Sequence, residues 1–256
     1  MGERITVVPT VKAYPAISSR YNEVVCVAGF RVGILEPPSW VRLFPVPFRD
    51  LEAEQKFKKW QEITVEVEAH TSDNRPESVR PLTNTIEVTR TLTTNERVHL
   101  VRQVEPVTMC GLMQRQQESG TSLGVVRPRE VRDLQITPVP ATEVEERRQR
   151  IESLAAQGQL FGEPTEPLEV IPYQFHYRYT CWEPDCPGHR QSIIDWEIAQ
   201  AWRRWRHSYS DPLEEIRKKW IGELCAPDRD TQFFVGNMHQ HPNSFLVLGV
   251  FWPKKP

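Results

Sequence analysis

Apolar and polar positions alternate at period two through most of the first half of this chain. In "EITVEVEAH" (62–70), Ile63, Val65 and Val67 fall on one side and Glu62, Glu66 and Glu68 on the other, the pattern of a strand with one face in water. "TNTIEVTRTL" (83–92) and "REVRDLQITPV" (129–139) repeat it, and "VTMCGLM" (107–113) reads as a further strand. "RITVVPTVKAY" (4–14) is β-branched and broken only by Pro9, while "EVVCVAGFRVG" (23–33) and "SWVRLFPV" (39–46) form a pair across the Pro-rich turn at 36–39. Helical spacing interrupts this series twice, through Phe57 and Trp60 in "AEQKFKKW" and in "ERVHLVRQV" (96–104). Six or seven strands are therefore predicted before residue 140.

The period then changes. "ATEVEERRQRIESLAAQGQL" (141–160) is a charged helix whose apolar stripe, Val144, Ile151, Leu154 and Leu160, is thin enough for a connector. Beyond it come a strand in "EVIPYQFHYRYTC" (169–181), two helices, and strands in "TQFFVGNM" (231–238) and "SFLVLGVFWP" (244–253). Ile194, Ile198, Ala201, Trp202 and Trp205 give the first of these helices an apolar face, with Ser192 as cap and Asp195 three residues on. Asp211 and Pro212 open the second as N-cap and N1, and it runs to Leu224. The expected fold is α+β and mainly β, divided into an N-terminal β domain (1–139), a connecting helix (140–163) and a C-terminal α+β domain (164–256). A faint echo links "VVCVAGFRV" and "WVRLFPVPF" to "FFVGNMHQHP" and "FLVLGVFWP".

Composition narrows the function. A net charge of −2 over 256 residues gives no global basic field, so a nucleic-acid contact has to come from a local patch. Five cysteines, an odd number, without a secretory signal predict a reducing, cytoplasmic setting, and no apolar run approaches the roughly 20 residues of a membrane helix. Six of the eight tryptophans fall at or after Trp182, which suits a protein-binding surface in the second half.

The densest chemistry lies in "CWEPDCPGHR" (181–190). Cys181, Cys186 and His189 are set around a tight reversal forced by Pro184, Pro187 and Gly188, a knuckle suited to zinc. Cys225, directly after the second helix, lies at the same end of a helical hairpin as the knuckle and is the expected fourth ligand, giving a closed, structural Cys3His site. His239 and His241 in "GNMHQHP" are rivals for that place. The alternative is that Cys181 and Cys186 are buried apolar thiols, and Cys26 and Cys110 read as strand core. Catalytic motifs are missing: there is no Walker A sequence, G-x-S-x-G or G-x-G-x-x-G, and Asp195 and Glu197 do not share a helix face.

The segments "VKAYPAISSRYNEVVCVAGF", "WVRLFPVPFRDL" and "DNRPESVRP", together with "FHYRYTC", "SIIDWEIAQ" and "FFVGNMHQHPNSFLVLGVFWP", resemble bacterial proteins described as dual OB-containing domains. The resemblance spans most of the chain. It implies two small β-barrels of the oligonucleotide-binding (OB) type and a role in bacterial defence or nucleic-acid processing, with the helical stretch at 187–224 departing from a plain barrel. OB barrels bind single strands by aromatic stacking along a basic groove. Arg42, Phe44, Phe48 and Arg49 in "VRLFPVPFR" interleave cations and aromatics as such a groove would, and Arg75 and Arg80 in "DNRPESVR" form a second patch. Phe44 also fits an inward-facing core position. The sequence thus predicts a non-catalytic accessory protein that binds single-stranded nucleic acid, carries structural zinc and offers a Trp-rich surface to protein partners. The alternatives are an adaptor, or a metal-dependent nuclease or nucleotide-processing enzyme built around Cys181, Cys186, His189, Asp228, His239 and His241.

Overall fold

The computed structural model describes residues 2–18, 22–33, 36–158 and 168–255; Leu160 and the side chain of Leu154 lie outside that description. In the first half, β1 (Glu3–Lys12), β3 (Asn22–Val32), β4 (Ser39–Val46), β5 (Gln61–Ala69) and β6 (Ser78–Thr91) pair in a closed ring, and β2 (Ala16–Ser18) adds to the edge of β3. β1 pairs antiparallel with both β3 and β5, β3 with β4, and β5 with β6, while β4 and β6 run parallel and close the ring. The alternating positions fill its interior: Ile5 and Val7, Val25 and Val27, Val41 and Leu43, Ile63, Val65 and Val67.

β1 and β3 differ from β5 in being buried on both faces along most of their length. Val8, Val11, Ala28 and Phe30, on the outside of the ring, are also buried, because a second ring packs there with Phe234, Leu248 and Phe251. The near-continuous apolar runs of these two strands therefore reflect burial on both sides. At the crossing of β1 and β3 the backbones come so close that a Cβ on Gly29 would lie 2.2 Å from the Val8 carbonyl oxygen, so glycine is required there.

The second ring is built from β7 (Leu123–Val126), β8 (Glu130–Pro138), β9 (Tyr173–Thr180), β10 (His189–Ser192), β11 (Gln232–Met238) and β12 (His241–Phe251). β8, β9 and β10 form one three-stranded sheet and β7, β11 and β12 another, and a single parallel bridge from Ile193, just past β10, to Val247 of β12 joins the two. With β7 and β8 together taken as its first strand, this ring has the order of the other: first, second, third, fifth, fourth and back to first, the third and fifth parallel. Among the described residues four helices complete the half: α2 (Met109–Ser119), α3 (Ala141–Gly158), α4 (Trp196–Trp205) and α5 (Pro212–Arg217), which continues as a π-helical turn, Lys218–Glu223. The interior holds Tyr177, Tyr179 and Phe233, covered by Met109 and Leu112 from α2 and by Ile198, Trp202, Ile216 and Trp220 from the α4–α5 hairpin. α1 (Thr94–Arg102) links the rings and sends Leu100 and Val101 into the shared core.

Several expectations change. The pairing divides the chain earlier than residue 139, since β7 and β8 join β11 and β9. "AEQKFKKW" forms only a 3₁₀ turn, Ala53–Gln55, because Phe57 is drawn into the first ring's core. "VTMCGLM" is not a strand: Thr108 caps α2 by accepting the Gly111 amide, Met109 and Leu112 face inward at helical spacing, and Gly120 ends the helix with φ 74°. Asp195, not Ser192, is the N-cap of α4. The tryptophan-rich half places Trp202 and Trp220 in the core and leaves Trp182 62% exposed. No helix among the described residues is long and apolar enough to cross a membrane.

Candidate metal centre

The knuckle forms where β9 ends and β10 begins. His189 sits opposite Tyr179 in the ladder, so the chain must reverse within the intervening loop. Gly188 allows this with φ 87°, and the Cys186 amide closes a turn on the Glu183 carbonyl at 3.2 Å. The Cys181 amide then donates to Cys186 Sγ at 3.3 Å. Cys181, Cys186 and His189 face one point, as their spacing predicts.

The fourth group at that point is Cys110, in the first turn of α2. Thr108, the cap of that helix, donates its hydroxyl to Glu183 Oε1 at 2.8 Å and so fastens the helix start to the knuckle. A tetrahedral ion bound at about 2.3 Å to sulfur and about 2.0 Å to nitrogen holds its ligand atoms about 3.5–3.8 Å apart. Here Cys110 Sγ lies 3.6 Å from both Cys181 Sγ and His189 Nε2, which is 3.4 Å from Cys181 Sγ and 3.2 Å from Cys186 Sγ. All four ligand atoms fall within 4.8 Å of one another, close to the edges of such a tetrahedron. The set can hold a metal ion. Burial lowers the His189 pKa and so favours the neutral imidazole that ligates. For Cys186, burial opposes ionisation but the amides of Cys181 and Gly188 outweigh it, and the thiol is shifted down. Cys110 is pushed up to about 12 by burial and by its neighbouring thiols.

Cys225 is not a member of this group. Its thiol donates to the Trp220 carbonyl at 3.2 Å, and burial pushes it up to about 12. His239 lies in the turn between β11 and β12, where its Nδ1 is 3.3 Å from Asp73, and His241 opens β12 in solvent. Among the described residues the Cys3His set is the one group of three or more potential ligands, so Asp228, His239 and His241 are not gathered into a second site.

The expected groove residues are scattered. Arg42 is 1% exposed and bound within the protein, so it cannot line a groove. Phe48 packs edge-on against Phe57 and Trp196. Phe44 stacks on His70, Arg49 pairs with Glu23 at 2.8 Å, and Arg80 is exposed on β6. Arg75 forks onto the buried Asp73 and donates to the Asn237 carbonyl at 2.7 Å, pinning the β5–β6 loop to the second ring. For Asp73, burial opposes ionisation, but the Arg75 bonds dominate and hold its pKa far below the ordinary value of 3.8. A depressed carboxylate stabilises the fold above its unfolded pKa and loses that contribution as pH falls. Stability of the wild type is therefore expected to drop more steeply below about pH 4 than that of Asp73→Asn, which starts about 3 kcal/mol lower at pH 7. Urea melts of both proteins at a series of pH values check this; parallel curves would exclude it.

Comparison with known proteins gives two family matches. One model, described as a domain of unknown function (DUF8758), matches residues 3–104, and another, a domain of unknown function (DUF8757), matches residues 104–256. Their junction falls after α1, between the two rings. No curated protein matches. A solved structure described as a murine DNA binding protein bound with ds DNA is similar over 99% of this chain and 98% of its own, at 9% identity and a TM-score of 0.32.

Proposed function

We propose that this chain, which belongs over residues 104–256 to the family of the domain of unknown function DUF8757, is a protein of two OB-type barrels that binds single-stranded nucleic acid and carries a structural zinc ion. The observation that supports it most is the repeated strand order. Both rings close five strand positions with the third and fifth parallel, the plan of a small Greek-key barrel of the OB type, and in the second the α4–α5 hairpin lies between the third and fourth. The resemblance of the chain to dual OB-containing proteins points the same way and adds a place in a bacterial defence or nucleic-acid-processing system.

Three thiols and one imidazole at tetrahedral spacing favour zinc over harder cations. Four protein ligands leave no open position for substrate, so the ion's role is to hold α2 against the knuckle. The groove does not run along Arg42 to Arg49, because the outer face of β3 and β4 packs on the second barrel: Phe30 and Trp40 lie 6.0 and 5.7 Å from the Phe234 ring.

The test is anisotropy titration of labelled single strands of DNA and RNA, about 20 nucleotides long, and of duplex DNA, at about 50 and 200 mM salt. Tighter binding of a single strand than of duplex, weakening with salt, is the expected result. No binding at low salt, or equal binding of duplex, would remove the single-strand reading.

A further inference from the structure

Where the two barrels meet beside the α4–α5 hairpin there is a cavity of about 660 Å³. Its aromatic wall is formed by Phe48, Trp60, Trp196, Trp205 and Trp220. Phe48 and Trp196 meet edge to face at 5.6 Å, and Trp205 and Trp220 at 6.2 Å. The cations on the same cavity are Lys12, Lys58, Lys59, Arg204 and Lys219, against a single acid, Glu197.

These charges are unequally engaged. Lys59 binds the buried Asp195 at 2.8 Å and Glu197 at 3.2 Å, which locks the end of β5's approach to the cap of α4, and Lys219 pairs with Glu223. Lys12, Lys58 and Arg204 have no carboxylate partner among the described residues. Lys12 instead donates to the Phe57 carbonyl and stands 4.1 Å above the Phe48 ring, where burial and the neighbouring Lys59 bring its pKa down to about 8. An anion arriving there would relieve that repulsion.

The backbone adds an independent observation. Trp60 has φ 66°, a left-handed conformation rare for a bulky side chain. It is fixed by the Trp60 amide on the Pro9 carbonyl at 2.8 Å and the Leu92 amide on the Trp60 carbonyl at 2.9 Å. The bend turns the chain between Lys59 and β5 so that Lys58, Lys59 and Trp60 all reach the cavity.

A site with flat π faces, surplus cations and no free carboxylate suits a ligand that is both aromatic and anionic. It offers little to a cation or to a sugar needing acceptors, and the unpaired charges would be wasted on a purely apolar molecule. Its volume lies in the range of about 300–1,000 Å³ usual for small-ligand sites. We propose that this junction cleft binds a nucleotide unit, the base against the Trp205 ring and the phosphate on Lys12, Lys58 and Arg204. Where that unit belongs to a strand, the assignment rests on the nucleic-acid function proposed above; a free nucleotide would present the same chemistry.

The full chain is titrated with a labelled oligothymidylate of about ten nucleotides and, separately, with adenosine and uridine mononucleotides, read by anisotropy and by tryptophan fluorescence. Variants are Lys58→Ala/Arg204→Ala, which removes two exposed, unpaired cations, Trp205→Ala with Trp205→Phe as its conservative partner, and Arg132→Ala, an exposed cation on β8 outside the cleft. The expected result is at least a tenfold weakening in the double variant and in Trp205→Ala, recovery in Trp205→Phe, no change in Arg132→Ala, and quenching on binding. The double variant keeps the test valid if Trp205→Ala fails to fold. Strand binding undiminished in the double variant would overturn the cleft while leaving the nucleic-acid function standing. Cleft-dependent binding of mononucleotides without any binding of strands would uphold the cleft and overturn that function, and no binding of either ligand would overturn both.

Discussion

Cys110→Ser is expected to abolish metal binding and to lower the melting temperature by about 10 °C or more, whereas Cys225→Ser keeps one ion per chain. The distances decide this: Cys110 Sγ lies 3.6 Å from two other ligand atoms, while Cys225 is engaged with the Trp220 carbonyl. A closed zinc site contributes its binding free energy to folding, about 10–16 kcal/mol in isolated finger peptides. Even about 4 kcal/mol of this, at ~2–4 °C per kcal/mol for a protein of this size, gives the shift stated. The loss should be confined at first to the second ring, because an ion held by these four residues would join α2 to the β9–β10 loop and touch nothing in the first. A serine at position 225 can still donate to Trp220, so its cost is that of a small buried polar change, about 1 kcal/mol. Elemental analysis and thermal melts of the two variants check it. Zinc retained at one per chain in Cys110→Ser, or lost in Cys225→Ser, would refute the assignment.

How far the sequence reveals this site follows from what each ligand depends on. Cys181, Cys186 and His189 are brought together by a local turn, and local spacing exposes them. Cys110 comes from a helix seventy-one residues upstream of Cys181, and no spacing rule reaches that far. Its neighbourhood misleads as well, since Val107, Met109 and Leu112 read equally as strand or helix until the Thr108 cap and the Gly120 stop are weighed. The strands were legible for the same local reason: in β5 the glutamates mark the solvent face and the β-branched residues the core. Which outer faces another part of the chain covers is not written locally. In β4, Val41 and Leu43 point inward and Arg42 outward, as alternation predicts, yet the outward side is where the second half of the chain docks. The left-handed turn at Trp60 is likewise imposed by contacts from Pro9 and Leu92, and no glycine or asparagine announces it.

Arg42 carries the second large effect. Its guanidinium donates to Ser78 Oγ at 3.1 Å, Ser122 Oγ at 2.7 Å and the Ser122 carbonyl at 3.2 Å. Ser122 in turn gives its hydroxyl and amide to Glu77, at 2.6 and 2.9 Å, and the Arg42 amide binds the Glu77 carbonyl. One buried cation thus joins β4, the start of β6 and the residue that leads into β7, riveting the first ring to the second half. Hydrogen bonds to a charged group are worth about 1.5–3 kcal/mol each, and part of that is offset by the burial that lowers the arginine's own pKa. Arg42→Ala is therefore expected to cost about 3 kcal/mol or more, and it leaves the Glu77 carboxylate and the Ser122 carbonyl without their cation. Arg42→Lys should recover less than half of the loss, because an ammonium cannot present the guanidinium's planar fork to Ser78 and Ser122 together. Coupling through Ser122 gives a sharper test. In urea melts of Arg42→Ala, Ser122→Ala and the double variant, the two single losses should exceed the double loss by about 1 kcal/mol or more, since either change breaks the same bond. Strict additivity, or an Arg42→Ala protein as stable as the wild type but weaker in nucleic-acid binding, would return this residue to the exposed groove that its sequence neighbours suggest.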